Sequence, residues 1–379
     1  MIARSFLSVG QGAFYCEFFE GNTEDKNLHI VYDCGSLPDI TVVENKIKNY
    51  FKKGAVIEAV FISHLDEDHM NGIPFLLKHC KVNRIYFPLI TAANKKIMEI
   101  NYSIRNIDGF IFEFFKDPYK GIQGLHLDYV PKLIAIQEGD QERNFDRIGE
   151  IIVQGSGEDV FREIGSGCTL SKDSKWMYIP FNFRQEKRIQ KLMDNLKIQF
   201  GREIKKEEVE ELWVNNNSDD RDKIKESYKK IQGGLNTNSM TLFSGEIEYK
   251  LRQFRRKCYN INCWIEVLGC CNRYCFYKPS GCLYTGDYDA LDKTKWEELE
   301  KAYREYWEHI GCVQIPHHGS KNNFNQNFLK MNAFFIISAG YSNKYGHPHE
   351  SVIKEFFLEG IMPYIITERA GSSEFFIVK

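Results

Sequence analysis

The run Ser63-His64-Leu65-Asp66-Glu67-Asp68-His69 contains four side chains that can bind a metal ion, His64, Asp66, Asp68 and His69. Carboxylates this close together repel one another, and burying them without partners is costly. One or two divalent cations would remove that conflict. A mixed set of nitrogen and oxygen ligands suits zinc, manganese or iron better than magnesium or calcium. The alternative interpretation is a solvated acidic loop that happens to contain histidines.

Further residues of the same kinds follow other apolar runs. Asp33 closes one such run in the first half of the chain. The second half contributes Thr285-Gly286-Asp287, Pro316-His317-His318-Gly319-Ser320 and Tyr345-Gly346-His347-Pro348-His349. Each half of the chain therefore ends several of its predicted strands in side chains that can bind a metal.

The elements that would position the first cluster alternate between strands and helices. Apolar runs predict strands over Ile2 to Val9, Ala13 to Phe19, Asn27 to Tyr32, Ala55 to Ile62 and Arg84 to Pro88. Helices are predicted over Val42 to Phe51 and from Ile73 to Leu77. The His64–His69 cluster directly follows a buried strand and precedes a helix, which is where α/β folds bind their ligands.

The second half repeats this alternation after a different middle segment. Strands are predicted over Ser239 to Phe243, Ile247 to Leu251, Asn262 to Val267, Gly281 to Tyr284, Val313 to Ile315, Phe334 to Ser338 and Tyr364 to Thr367, with a helix from about Asp292 to Trp307. Residues from about 139 to 234 are richer in charge, and apolar residues recur there at helical spacing from Ile189 to Phe200. We interpret this interval as a packed helical insertion, with a substrate-gating lid as the alternative. The order predicts an α/β sandwich of two mixed sheets covered by helices.

Composition limits the classes of partner. The net charge of −2 argues against a general nucleic-acid binder, which usually has a basic excess, and only Arg252 to Lys257 forms a basic run. We interpret that run as a solvated strand or loop edge. No secretory signal is visible, and the longest later apolar run, Ala333 to Ala339, is too short to cross a bilayer. We therefore expect a cytoplasmic protein with no membrane contact.

The eleven cysteines give only a weak signal. Six of them lie between Cys258 and Cys282, but no Cys-x2-Cys pair stands beside another. A structural zinc site is therefore weakly supported, and we interpret the cysteines as small buried apolar residues.

Taken in order, the motifs resemble the metallo-β-lactamase fold superfamily, and within it the soluble hydrolase domain of ComEC-type DNA-uptake proteins. The motifs that carry the resemblance are Asp33, His64 to His69 with Asp66 in place of a second histidine, Val9-Gly10-Gln11-Gly12, Asn238-Ser239-Met240-Thr241-Leu242, Tyr284 to Asp287, Pro316 to Ser320 and Asn343 to Pro348. The resemblance implies one metallo-β-lactamase-like αββα sandwich over residues 1–379, with the helical insertion inside it.

The resemblance also implies a site for two divalent ions, with zinc preferred and manganese as the alternative. His64 and Asp66 would hold one cation and Asp68 and His69 the other, while Asp287 would bridge them. Either His317 or His318 would complete the second set, and we take His318 as the ligand. Asp33 would orient a ligand imidazole.

This sequence departs from the superfamily pattern in one respect. The superfamily usually supplies a further histidine between the first cluster and the bridging aspartate. Near that place stand Asn238 and Ser239, as in the ComEC-like branch, and His126 does not match the expected motif. We take Asn238, Ser239 and Ser320 as residues that support the ligands. The first cation would have a more oxygen-rich set of ligands, which leaves room for manganese.

Such a site implies hydrolysis, because divalent cations lower the pKa of water and stabilise charge on a phosphate oxygen. No Ser/His/Asp elbow or phosphate-binding Gly-x4-Gly-Lys loop competes with it. We expect a phosphodiesterase or nuclease acting on DNA, RNA or a nucleotide, with Asp68, His317 and His347 contacting water or substrate. The alternatives are a hydrolase of a lactam, lactone or thioester, and a non-catalytic, metal-stabilised interaction protein that binds a partner through the helical insertion.

Overall fold

The structure is a computed structural model that describes residues 1–23, 27–37, 39–139, 160–171, 173, 175–184, 186–215, 217–231, 239–258 and 275–379. Its strands are β1 (Ile2–Phe6), β2 (Phe14–Phe19), β3 (Leu28–Cys34), β4 (Val56–Ile57), β5 (Ala59–Phe61), β6 (Lys81–Val82), β7 (Arg84–Pro88), β8 (Lys132–Ile136), β9 (Phe161–Ile164), β10 (Leu170–Ser171), β11 (Trp176–Phe181), β12 (Thr241–Glu246), β13 (Leu251–Cys258), β14 (Cys275–Pro279), β15 (Gly281–Tyr284), β16 (Ile310–Gln314), β17 (Phe334–Ser338), β18 (Tyr364–Ile366) and β19 (Glu374–Val378). Its α-helices are α1 (Ile40–Tyr50), α2 (Glu67–Met70), α3 (Ile73–His79), α4 (Ala92–Arg105), α5 (Gly109–Lys116), α6 (Pro118–Gln123), α7 (Glu186–Phe200), α8 (Lys206–Val214), α9 (Ser218–Lys229), α10 (Lys293–Ala302) and α11 (Glu350–Leu358).

These strands form two large mixed sheets. The first has the order β14-β13-β19-β1-β2-β3-β5-β7-β8-β9, and the run from β3 to β9 is parallel. The second has the order β10-β11-β12-β15-β16-β17-β18, and the run from β15 to β18 is parallel. The carboxyl ends of the parallel strands are the places where each sheet can present side chains to a ligand.

Aromatic side chains fill the space between the two sheets. Tyr284 of the second sheet stacks on Tyr32 of the first with ring centroids 4.9 Å apart, and on Tyr15 at 6.0 Å. Tyr32 also donates a hydrogen bond to the carbonyl oxygen of Met240 at 2.8 Å. Stacking and hydrogen bonding across this interface fix one sheet against the other.

Helices cover both outer faces. Leucine, isoleucine and phenylalanine side chains of α1 and α3 to α9 pack with the outer face of the first sheet. Those of α10 and α11 pack on the second. The predicted αββα sandwich is therefore confirmed.

A buried ion pair also connects the sheets. The Arg4 Nε atom donates to Glu17 Oε1 at 2.7 Å, and the two residues are 0% and 2% exposed. Glu17 further accepts hydrogen bonds from Tyr178, Ser244 and Tyr284, all of which belong to the second sheet. A buried carboxylate is tolerated only with such partners.

Some predicted strands differ in the structure. The run from Ala55 to Ile62 is divided into β4 and β5 at Glu58, whose carboxylate forms an ion pair with Arg84. The prediction of a strand over Ile247 to Leu251 is wrong, because β13 begins only at Leu251 after a bend. The strand predicted over Asn262 to Val267 lies outside the described residues.

The interval from 139 to 234 contains strands as well as helices. Strands β9, β10 and β11 extend the two sheets before α7, α8 and α9 begin. The helices pack against α4, where the Tyr228 hydroxyl donates to the Ile97 carbonyl oxygen at 2.8 Å. The limits of an insertion, its role as a lid and its use as a partner surface stay predictions.

Six cysteines in the described part of the chain are buried and free, namely Cys16, Cys34, Cys80, Cys168, Cys282 and Cys312. They pack as apolar residues, as predicted. Most of the clustered cysteines before Cys282 lie outside the described residues.

Across the described residues, each helix is too short or too polar to span a bilayer. The cytoplasmic location stays a prediction.

Candidate metal centre

The predicted ligands follow the carboxyl ends of parallel strands in both sheets. His64 and Asp66 stand in the loop after β5, and Asp68 and His69 lie in α2. Asp287 follows β15, and the pair His317 and His318 follows β16. Since these strand ends converge at one edge of the sandwich, residues more than 200 positions apart in sequence come into contact.

The carboxylate of Asp287 lies at the middle of the group. Its Oδ1 atom is 3.1 Å from His69 Nε2 and 3.9 Å from His318 Nε2. Its Oδ2 atom is 3.7 Å from His64 Nε2 and 3.7 Å from His317 Nε2. Each oxygen thus faces a different pair of imidazoles.

Two of the imidazoles have their Nδ1 atoms held by acceptors. His69 Nδ1 donates to Asp33 Oδ2 at 2.8 Å, and His318 Nδ1 donates to the Ser338 carbonyl oxygen at 2.8 Å. Because these acceptors cannot donate, both rings carry a proton on Nδ1. In a neutral ring the Nε2 lone pair is then free for a cation.

The other two imidazoles are held in the same way. The Ser63 hydroxyl donates to Asp33 Oδ2 at 2.7 Å, so its oxygen accepts from His64 Nδ1 at 2.9 Å. His317 Nδ1 donates to the Asn323 side-chain oxygen at 2.9 Å. All four Nε2 atoms therefore point at carboxylates and away from fixed Nδ1 partners.

The side chains fit a divalent cation. Asp68, His69, Asp287 and His318 offer ligand atoms that all lie within 4.8 Å of one another. His69 Nε2 and Asp287 Oδ1 are buried and 3.1 Å apart, and in the described part of the chain neither has a hydrogen-bond partner while the His69 ring is neutral with its proton on Nδ1. Buried polar atoms without partners are costly, and a cation between them would satisfy both.

The charges in the cluster agree with this fit. Burial alone would raise the pKa of Asp287, but His317 and His69 outweigh it and hold that pKa well below its ordinary value. Burial alone would lower the pKa of His69, but Asp287 and Asp33 raise it well above its ordinary value. The cluster is therefore rich in negative charge and attracts positive charge.

Backbone strain gathers at the same place. Asp33, His317 and His318 have φ values of 55°, 49° and 57°, in the left-handed region that residues other than glycine rarely adopt. Strained backbone persists where the surrounding contacts outweigh its cost, and such positions cluster at functional sites. The strained residues place His317 and His318 beside Asp287, and Asp33 beside His69.

Two glycines allow close approach of backbone segments. A Cβ atom on Gly35 would lie 2.4 Å from the Asp68 carbonyl carbon, so only glycine lets β3 meet α2. Gly286 has a φ of 55°, and a Cβ atom there would lie 2.7 Å from the Ser63 Cβ. The first contact joins two segments that follow strands of the first sheet, and the second brings the ligand-bearing loops of the two sheets together.

The remaining predicted residues have distinct places. Asp66 Oδ2 is 3.9 Å from His64 Nε2, and the Ser239 hydroxyl lies 3.1 Å from His64 Nδ1 while accepting from the Asp287 amide at 2.7 Å. Ser320 is buried, and its hydroxyl accepts from the Asn322 amide within the turn after His318. Asn238 lies outside the described residues.

His347 lies beside the histidine pair. Its ring is 5.5 Å from that of His317 and stacks on His318 at 6.0 Å. Burial, followed by the neighbouring His318 and His317, lowers the pKa of His347 to about 4. The ring is therefore neutral at neutral pH.

Several residues of the centre were not predicted from the sequence. Ser63 and Asn323 hold ligand imidazoles. The side-chain amide of Gln314 binds the turn at Gly286, because its oxygen accepts from the Gly286 amide and its nitrogen donates to the Gly286 carbonyl oxygen. Arg105, at the end of α4, donates to Asp66 Oδ1 at 3.0 Å and is partly exposed. Ser63 adjoins His64 in sequence and could have been suspected, whereas nothing in the sequence marks Arg105.

We expect the Asp33→Asn variant to bind a divalent cation 10- to 100-fold more weakly, the range typical for a residue that orients a ligand histidine. Asparagine tolerates the left-handed backbone of position 33, so the change removes mainly the charge that holds His69 and Ser63. Competition with a metal-sensitive dye measures the affinity. Asp39→Asn, at an exposed helix cap, is the matched control, and equal affinity in both variants would contradict the role of Asp33.

Comparisons with known proteins agree with this picture at a coarse level. Residues 23–161 match the family model of the Metallo-beta-lactamase superfamily. This match includes Asp33 and the His64–His69 cluster, while Asp287 and the later histidines lie beyond it. A 70-residue segment is 36% identical to Ribonuclease J from Mycoplasma pneumoniae strain ATCC 29342, and it covers 17% of this chain and 12% of that protein. The chain thus matches only about an eighth of that relative's length.

A search of solved structures adds a distant likeness. The crystal structure of unliganded yeast PDE1 aligns over 99% of each chain with a TM-score of 0.39 and 10% sequence identity. Over residues 23–161 the family match confirms the predicted resemblance at the level of the superfamily, and the ComEC-type branch stays a prediction.

Proposed function

We propose that this protein is a metal-dependent hydrolase of phosphodiesters, with DNA, RNA or a nucleotide as the substrate class. One observation carries the proposal: the two oxygens of Asp287 face two different pairs of imidazole Nε2 atoms. A carboxylate placed in this way supports two cations rather than one. The ligands proposed for them are His64, Asp66, Asp68, His69, Asp287 and His318.

Zinc is the proposed metal and manganese its rival, because the donor set mixes imidazole nitrogens with carboxylate oxygens. When bound, such cations polarise a phosphate oxygen and favour deprotonation of water. His64 with Asp66 would hold one cation. Asp68, His69 and His318 would hold the other, since His318 Nε2 lies 3.1 Å from Asp68 Oδ2.

The reaction adds water across one P–O bond. The water oxygen bonds to phosphorus, the bond to the leaving oxygen breaks, and one proton of the water ends on the leaving alcohol. Asp68 is proposed to orient the water, and neutral His347 to contact a phosphate oxygen. His317 would do the same through Nε2, because Asn323 fixes its Nδ1.

Two features support an anionic, nucleotide-like substrate. Arg105 places a guanidinium beside Asp66 at the partly exposed margin of the centre, and arginine suits phosphate recognition. The local similarity to a protein named Ribonuclease J points the same way. The net charge of −2 favours a short or single-stranded substrate over a long duplex.

We expect removal of the metals to lower phosphodiester hydrolysis by about 100-fold or more, and return of zinc or manganese to restore it. The test combines elemental analysis of the purified protein with chelation and reconstitution. Substrates are a short single-stranded oligonucleotide, bis(p-nitrophenyl) phosphate, nitrocefin and a thioester. Thermal unfolding gives a second readout, because a cation that binds the folded state raises the melting temperature.

The same panel separates the alternatives. Turnover of nitrocefin or the thioester without turnover of either diester would replace the proposal by a different hydrolase. One tightly held cation and no turnover of any substrate would favour a non-catalytic interaction protein. Activity that persists after complete metal removal would contradict the proposal outright.

A further inference from the structure

We propose that Tyr345 is a stacking platform for the nucleobase next to the scissile phosphodiester, so that the substrate is a base-bearing strand or nucleotide. This inference rests on the proposed phosphodiesterase function and specifies its substrate. It assigns a binding role to a residue outside the ligand set. Three features support it: a row of rings, a hydrogen-bonded loop and the charge balance around the centre.

A row of three rings leads from the metal centre towards solvent. His318 stacks on His347 with centroids 6.0 Å apart and planes 26° apart. His347 stacks on Tyr345 at 5.9 Å and 25°. Tyr345 is 54% exposed, so the row ends in a ring that solvent reaches. A further flat ring can continue this row at the Tyr345 end.

The loop that carries Tyr345 is held rigidly by one side chain. Asn343 Oδ1 accepts from the backbone amides of Tyr345 at 3.1 Å and His347 at 2.9 Å. Asn343 Nδ2 donates to the carbonyl oxygens of Gly340 at 2.6 Å and His347 at 2.5 Å. An exposed aromatic ring on a pre-ordered loop loses little entropy when a ligand stacks on it.

The same loop is fixed to the metal centre. The His349 amide donates to the Gly319 carbonyl oxygen at 3.0 Å, directly after the histidine pair. At the other end, Tyr341 is also exposed, and the Arg369 guanidinium lies 3.5 Å from its ring centroid. These contacts connect the loop to the segment that carries His317 and His318.

The chemistry of this surface favours a base over other flat groups. Every nucleobase presents a π-face, and stacking on exposed aromatic rings is the usual way in which single strands are bound without sequence preference. Two cations lie near this surface, with Lys344 Nζ 5.7 Å from the Tyr345 centroid and Arg105 beside Asp66. Stacking can supply the affinity that a chain with a net charge of −2 cannot obtain from phosphate contacts alone.

The test uses two fluorescein-labelled oligonucleotides of equal length, one carrying bases throughout and one with abasic sites in its central part. Binding is measured by anisotropy in chelator, where no turnover interferes, and hydrolysis is measured after zinc or manganese is returned. The variants are Tyr345→Ala, Tyr345→Phe and the control Tyr249→Ala. Tyr249 is 52% exposed and lies near Ile310, at the opposite end of β16 from His317.

We expect Tyr345→Ala to weaken binding of the base-bearing strand by about 5- to 100-fold, the usual range for loss of one stacked base. The abasic strand should bind the parent and this variant equally. Tyr345→Phe should keep the preference for bases, because phenylalanine retains the ring. Metal content should be the same in all variants, and Tyr249→Ala should behave as the parent.

Two results would overturn the inference: equal weakening of both strands by Tyr345→Ala, which indicates a structural role, or no weakening of either. The hydrolysis measurement separates failure of this inference from failure of the proposed function. If the parent binds the base-bearing strand through Tyr345 but cleaves no phosphodiester, the platform stands and the phosphodiesterase assignment falls.

Discussion

Replacing Asp287 with alanine is expected to lower phosphodiester hydrolysis by on the order of 1000-fold or more while the protein stays folded. Loss of a single group that stabilises transition-state charge already costs about 100- to 1000-fold. Asp287 would act on both cations at once, because its two oxygens face different imidazole pairs. Its loss should therefore disturb the whole centre.

The fold should survive because the backbone at position 287 is held independently of the carboxylate. The Asp287 amide donates to the Ser239 hydroxyl at 2.7 Å, and the Asp287 carbonyl oxygen accepts from Asn323 Nδ2 at 3.0 Å. In metal-free protein, removal of the carboxylate also relieves the repulsion that Asp287 exerts on the Asp68 carboxylate. Circular dichroism and unfolding curves close to those of the parent are the expected outcome.

Asp287→Asn separates charge from shape. The amide keeps one acceptor oxygen but supplies no negative charge and only one oxygen for two cations, so its activity should stay close to that of alanine. Metal content should fall below the parent value in both variants. Asp219→Ala, on the exposed face of α9, is the matched control. Parent-like activity in Asp287→Ala would show that the bridging assignment is wrong.

The sequence located the centre because the chemistry of its first cluster is local. His64, Asp66, Asp68 and His69 lie so close in the chain that any fold keeps them near one another. Asp287 and His318 could be added only through motif order and family resemblance. Their contact with the first cluster depends on how two sheets pack, which no local pattern encodes.

The residues that the sequence did not predict are those that position another residue of the centre. Asn323 matters because it holds His317, and Arg105 because α4 brings it to Asp66 across 39 positions. Tyr102, one turn earlier in α4, donates to the Leu65 carbonyl oxygen at 2.8 Å and fixes that approach. Such roles arise from tertiary contacts, and a single sequence does not reveal them.

The fold was predictable where apolar runs were bounded by turns, as at β5, β15 and β17. The fold was less predictable within the charged middle segment. There β11 is buried on both faces, although most residues that flank it in the sequence are polar. Arg4 and Glu17 were also invisible as core residues. Charged side chains alternate with apolar ones in exposed strands too, so the pattern alone cannot predict a buried ion pair.

Removal of Glu17 is expected to lower the free energy of unfolding by about 3–5 kcal/mol, the cost of leaving one partner of a buried ion pair without its counter-charge. Among the described residues, Arg4 would keep the carbonyl oxygens of Ser280 and Ser244 as its acceptors. The hydroxyls of Tyr178 and Tyr284 would lose their acceptor as well. Urea unfolding of Glu17→Ala measures the loss.

A double variant tests whether the uncompensated charge causes the loss. Arg4→Met combined with Glu17→Met removes both charges of this pair, so it should be more stable than either single variant. Lys197→Ala, which breaks an exposed ion pair with Glu203, should leave the unfolding curve nearly unchanged. A double variant as unstable as the single ones would show that shape, rather than charge, governs this position.

Glu17→Ala should also affect the metal centre. The hydrogen bonds of Arg4 and Glu17 connect the two sheets that supply the metal ligands. His64 and His69 follow the first sheet, while Asp287 and His318 follow the second. If Arg4 and Glu17 fix the two sheets against each other, Glu17→Ala should weaken metal binding even under conditions where the protein remains folded. Parent-like metal affinity in folded Glu17→Ala would instead show that the aromatic packing around Tyr284 and Tyr32 is sufficient to align the two sheets.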